Sequence, residues 1–80
     1  MHYVYLIESL PADRQRHVGI TSDLKRRLRQ HCAGQSAHTS KFKPWRLKTY
    51  IAFSDRRKAE SFERYLKSGS GHAFAGKRLW

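Results

Sequence analysis

A single cysteine, Cys32, in 80 residues excludes an internal disulfide and any multi-thiolate zinc ribbon or knuckle, so the fold has to hold by packing alone. Acids are also scarce. Six Asp and Glu, scattered along the chain against 17 Lys and Arg, are too few and too dispersed for a two-metal carboxylate cluster. No window approaches the ~20 apolar residues that a membrane span needs, which excludes a transmembrane helix and a membrane partner of that kind. The apolar run at the amino end is short, lacks a basic leader and contains Glu8, unlike a secretory signal, so a cytoplasmic location is expected. Residues 1–80 are expected to form one domain, because a second core would need more chain.

What the chain has in excess is positive charge, a formal +11. Residues 1–21 are balanced, residues 22–48 carry eight bases against Asp23 alone, and residues 49–80 carry seven against three acids. Excess of this kind costs self-repulsion and is usually kept to neutralise phosphates, so a nucleic acid, DNA or RNA, is the first partner to expect. The other reading is a basic surface that docks on ribosomal or acidic protein surfaces.

Tyr3-Val-Tyr-Leu-Ile lies in a dense run of β-formers from His2 to Ser9, and Pro11-Ala-Asp-Arg-Gln is turn-like before the short run His17-Val-Gly-Ile, which predicts a hairpin. Thr21 or Ser22 is the expected cap of a helix with Asp23 in its first turn, apolar at Leu24, Leu28 and Cys32, and stopped by Gly34. Residues 34–45 lack periodicity and read as a basic loop. Residues 46–53 alternate charged with apolar at first, as a strand with one solvated face does. Ser54 is the expected cap of a second helix with the apolar stripe Ala59, Phe62 and Leu66, broken at Ser68-Gly-Ser-Gly. His72 to Trp80 read as a short final helix with Phe74 and Leu79 on the core. The fold class is therefore α/β in the α+β sense: a small, largely antiparallel three-stranded sheet flanked by helices, in the order β-β-α-β-α(-α).

Three sets of residues fit a purely structural account poorly. Glu63 falls at the edge of the apolar stripe of its helix, where it is either paired with Arg64, Lys67 or an arginine of the other helix, or a ligand for a hard divalent ion. Arg27 and His31, at i and i+4, point to one spot beside the Leu24 and Leu28 stripe, whereas Lys25, Arg26 and Arg29 lie on other faces as solvated charge or phosphate contacts. The alternative for His31 is a helix-terminal cation facing the dipole. Tyr3 and Tyr5 share one face of the first strand, and aromatics there are usually core.

Taken together, Tyr3-Val4-Tyr5, His17-Val18-Gly19, the following strand and helix through Arg27 to His31, and the helix bearing Glu63 resemble the GIY-YIG endonuclease superfamily, in particular its small, single-domain bacterial members. The resemblance covers nearly the whole chain. It implies that Tyr5 deprotonates or positions an attacking water, that Arg27 stabilises phosphate charge, that His31 supports the site, and that Glu63 binds a single Mg²⁺ or Mn²⁺. Two departures stand out. His17 replaces the tyrosine that usually opens the second triplet and offers an imidazole in place of a phenol as proton acceptor. The chain contains no asparagine, so the asparagine some members carry after the glutamate helix is missing, and Ser68 or the Gly69 to Gly71 turn occupies that region.

The function expected on this resemblance is Mg²⁺-dependent endonucleolytic cleavage of DNA, in repair or processing, by a monomer or a dimer. His38, Lys41 and Lys43 of the basic loop join Lys25, Arg26 and Arg29 as expected nucleic-acid contacts, with Trp45 or Phe42 as a stacking surface for a base. The alternative within the same resemblance is a binding module whose catalysis is weakened by His17.

Overall fold

The computed structural model describes residues 1–11 and 15–80; the turn expected over 12–14 lies outside them. Three strands, β1 (His2–Ser9), β2 (Arg16–Thr21) and β3 (Trp45–Phe53), form one antiparallel sheet in the order β2-β1-β3. Helix α1 (Leu24–Cys32) connects β2 to β3, and α2 (Arg56–Leu66) and α3 (Gly69–Arg78) follow. The chain thus runs β-β-α-β-α-α, as its sequence pattern predicts.

Central β1 is buried from Val4 to Ser9 because helices cover both faces of the sheet. Tyr5, Ile7 and Trp45 face α1 and pack with Leu24 and Leu28. Val4 and Leu6, on the opposite pleat, pack with Ala59, Leu66 and Ala75 of α2 and α3. This is why β1 reads as a continuous apolar run and not as an alternation.

Strand β3 departs from the expected single solvated face. Its pairing with β1 shifts between Leu6 and Ile7, so that Leu6 opposes Thr49 while Ile7 opposes Leu47. Lys48 is left over as a bulge, which sends Trp45 and Leu47 to the α1 face and Phe53 to the α2 face. The regular alternation in sequence therefore conceals a change of side. Glu8, buried at this end of β1, is held by Arg16 at 3.1 Å, Arg46 at 2.8 Å and Lys48 at 4.0 Å, and the two arginine hydrogen bonds keep its pKa below the usual carboxylate value.

The helix ends differ in detail from those expected. Asp23, not Thr21 or Ser22, caps α1 by accepting from Arg26 N at 3.1 Å, while the Thr21 hydroxyl accepts from Asp23 N and holds the approach turn. Asp55, not Ser54, caps α2, its carboxylate reaching Arg57 N at 2.8 Å. In both places the residue one step nearer the helix is the anionic one, and its charge complements the helix dipole. Gly34, at φ 78, follows the end of α1 as expected.

Ser68-Gly-Ser-Gly does end α2, but it also begins α3: Ser68 is the cap, and the helix covers 69–78 instead of 72–80. Gly71 makes the tight corner possible, because a Cβ there would lie 1.7 Å from the Tyr65 carbonyl oxygen. Starting the helix early turns Phe74 outward, 38% exposed, whereas Leu79 packs on the core as expected.

Candidate active site

Tyr5 organises the site. Its partner across the sheet is Gly19, and its phenol lies over that residue so closely that a Cβ on Gly19 would stand 2.3 Å from the hydroxyl. Glycine inside a strand pattern is a recognisable mark of such an approach. The hydroxyl is then held from the α1 side, where Arg27 Nε donates to it at 3.3 Å and His31 Nε2 lies 2.8 Å away. The i, i+4 spacing of Arg27 and His31 delivers both groups to one oxygen.

His31 is fully buried and has both ring nitrogens engaged, Nδ1 with Thr39 Oγ1 at 2.7 Å. Burial first, then the charges of Arg27 and His17, push its pKa down to about 4, so it is a neutral imidazole near pH 7. That removes the reading of His31 as a cation facing the helix dipole. Arg27 is steadied by Gln30, whose Oε1 accepts from Nη1 at 3.0 Å. Tyr5 is held as a neutral phenol: burial raises its pKa more than the Arg27 hydrogen bond and charge lower it.

His17 comes from β2 on the same sheet face. Its ring lies 6.1 Å from that of Tyr5 and 5.1 Å from that of His31. Burial, followed by Lys67, Arg27 and His38, lowers its pKa below 6.5 against a smaller upward pull from Glu63. Glu63 approaches from α2 with its side chain 17% exposed, and Lys67 Nζ pairs with Oε2 at 2.7 Å. Of the partners expected for Glu63, it is therefore Lys67 that the structure provides. The charges of both residues are felt at Tyr5 and at His17, where Glu63 raises and Lys67 lowers the pKa.

Among the described residues no group of three or more His, Cys, Asp or Glu converges to hold a metal. One solvent-reaching carboxylate suits only an ion that keeps most of its waters, the habit of Mg²⁺ and not of Zn²⁺.

The outlying expectations fare differently. Lys25, Arg26, Arg29, His38, Lys41 and Lys43 are exposed. His38 is also near enough for its charge to lower the His17 pKa. Trp45 is no stacking platform: it is 5% exposed, packs against Ile7 and Phe42, and donates its indole N–H to the Thr39 carbonyl at 2.8 Å. Phe42 packs against the same cluster. The bulge in β3 turns this part of the strand inward. Thr39 itself went unnoticed in sequence, since a threonine among loop polars gives no signal, yet it is 1% exposed and braces both His31 and Trp45.

Similarity to known proteins agrees with this geometry. The family model of the GIY-YIG catalytic domain matches residues 1–75. A UPF0213 protein of Haloquadratum walsbyi is 38% identical over 68 residues, covering 84% of this chain and 74% of that one. A UPF0213 protein of Cupriavidus pinatubonensis is 37% identical over 79 residues, covering 94% and 86%. The solution structure of a UPF0213 protein from Bacillus halodurans superposes with a TM-score of 0.57 at 27% identity, covering 98% of this chain and 85% of that chain. With both signature triplets on adjacent strands, the arginine on α1, the glutamate on α2 and a family match over nearly its whole length, the chain belongs to the GIY-YIG family, a nuclease-type fold.

Proposed function

We propose that this chain cleaves DNA phosphodiester bonds with the help of one Mg²⁺ ion, in repair or processing of DNA. The observation that carries the reading is the Tyr5 hydroxyl held between an arginine and a neutral imidazole. In this reading the His31 proton resides on Nδ1 and is donated to Thr39, which leaves Nε2 to accept from the phenol. Tyr5 then presents a lone pair to the attacking water and passes its own proton inward as it takes one from the water. The arriving phosphate offsets the Arg27 charge, which is one of the causes that hold His31 basicity down.

His17, neutral near pH 7 by the same reasoning, stands at the outer side of this pair as a second acceptor for the water proton. Arg27 is held between Tyr5 and Gln30 and so meets the extra negative charge of the pentacovalent transition state without first having to be ordered. Glu63 would hold the ion, replacing Lys67 as its partner. When bound, such an ion withdraws charge from the phosphate oxygens. The exposed bases of α1 and of the loop after it, Lys25, Arg26, Arg29, Lys41 and Lys43, grip the backbone of the strand.

A panel of labelled branched, single-stranded and duplex substrates with Mg²⁺, Mn²⁺ or EDTA tests the reading. Arg27→Ala should lower the rate about 10²-fold or more, the scale of losing one donor to a transition-state charge, while Arg26→Ala should change it little. Glu63→Gln should abolish cleavage and keep or tighten DNA binding. Equal losses from the two arginines would mean that bulk charge matters and the site does not. Binding of every substrate with cleavage of none would identify a binding module.

A further inference from the structure

Beside the site, a groove of about 290 Å³ runs between β2, the end of α2 and α3. It opens at His17 and Lys67, so it continues outward from the constellation just described. Its floor is apolar, built from Val18, Leu66 and Ala75. Its far wall is Trp80, with the Arg16 guanidinium over the indole at 4.8 Å, and His72 stands exposed on the rim. Among the described residues no side-chain carboxylate lines it.

These walls select a ligand. An apolar floor beside a flat aromatic and guanidinium pair takes a planar, weakly polar body, and the cations at Lys67 and Arg16 take an anion attached to it. A base with its phosphate has both parts. The volume lies at the lower end of small-ligand sites, which run from ~300 to 1,000 Å³, enough for one nucleotide and no more. A second copy of this basic chain would bring cation against cation here.

We propose that this groove seats the nucleotide next to the scissile phosphodiester, its base against Trp80 and Arg16 and its phosphate on Lys67. The proposal rests on the nuclease reading of the adjoining site. It also assigns Lys67 two successive partners: Glu63 in the free protein, and substrate phosphate once the carboxylate is engaged elsewhere.

The test uses the full chain with Glu63→Gln, so that the strand is not cut, and short single-stranded oligonucleotides carrying 5-iodouracil at one position at a time. Photocrosslinks mapped by mass spectrometry should fall on Trp80 or His72. Parallel deoxyribo and ribo series identify which strand supplies the nucleotide, and crosslinking of either at the groove supports it. Trp80→Phe should keep the affinity near that of the parent, and Trp80→Leu should weaken it about 10-fold, the scale of one lost stacking contact, with circular dichroism verifying the fold. Crosslinks confined to other surfaces, such as the exposed Tyr65 and Phe74, would overturn the groove while leaving the nuclease reading in place. Single-stranded oligonucleotides that fail to bind at all would overturn the groove, while the nuclease reading is decided by the branched and duplex substrates of its own panel. The crosslink map needs no groove variant, so it decides the matter even if Trp80→Leu does not fold.

Discussion

His17 and His31 are two imidazoles 5.1 Å apart with different duties, and pH separates them. If His17 accepts a proton in the reaction, its neutral form is the competent one. The rate should rise with pH through an inflection below 6.5, the direction that burial and Lys67 push its pKa, and then level off. His17→Ala should erase that inflection in a pH–rate profile; an unchanged profile would leave Tyr5 as the proton-handling group. His31 instead couples to stability. Its folded pKa of about 4 lies below the unfolded 6.5, so its contribution is complete above 6.5 and is lost as pH falls toward 4, up to ~3 kcal/mol for a shift of this size. Urea unfolding between pH 7 and 5 should show this decline, a window above that in which Glu8 protonates. His31→Gln should flatten it, whereas His17→Ala should keep most of it.

Helices α2 and α3 meet at a corner that two kinds of glycine serve differently. At Gly71 a methyl group would strike the backbone of α2, which cannot yield as a flexible side chain does. Gly71→Ala should therefore cost at least the ~1–3 kcal/mol typical of overpacking. Gly76, inside α3 and with nothing within 4 Å of a Cβ, should gain from the same change by about 0.5–1 kcal/mol, the ordinary helix preference of alanine. Urea midpoints that move in opposite directions would establish the contrast; a shift in the same direction for both would mean that α3 is free to move off α2. The corner matters for function because α2 carries Glu63 and Lys67, while α3 supplies the far side of the groove.

Over the whole molecule, +11 is distributed so that Glu8, the one acid buried in the sheet, is neutralised by three cations, while Lys25, Arg26, Arg29, Lys41 and Lys43 stay exposed. Binding to a nucleic acid should then be dominated by counterion release. A plot of log affinity against log salt should have a slope of about −3 or steeper, corresponding to three or more phosphates neutralised at ~0.9 per contact on duplex. Fluorescence anisotropy between ~50 and 200 mM salt measures it, and a flat line would point to a partner bound through something other than phosphate. Among the described residues no helix is long and apolar enough to cross a membrane.

Element order, strand and helix types and the shared face of Arg27 and His31 were legible in the sequence, whereas the joining of Tyr5 and Glu63 to them was implied there only by the family resemblance. What was legible depends on short-range periodicity or on spacing along one helix, and such information is local. What only the tertiary structure decided has in each case a long-range cause. The β3 bulge is set by pairing with β1, and with it comes the burial of Trp45. Thr39 gains its role from a loop folded back over α1. The groove at Trp80 is lined by residues of β2, α2 and the α3 segment, which come together only when α3 folds back at the Gly71 corner.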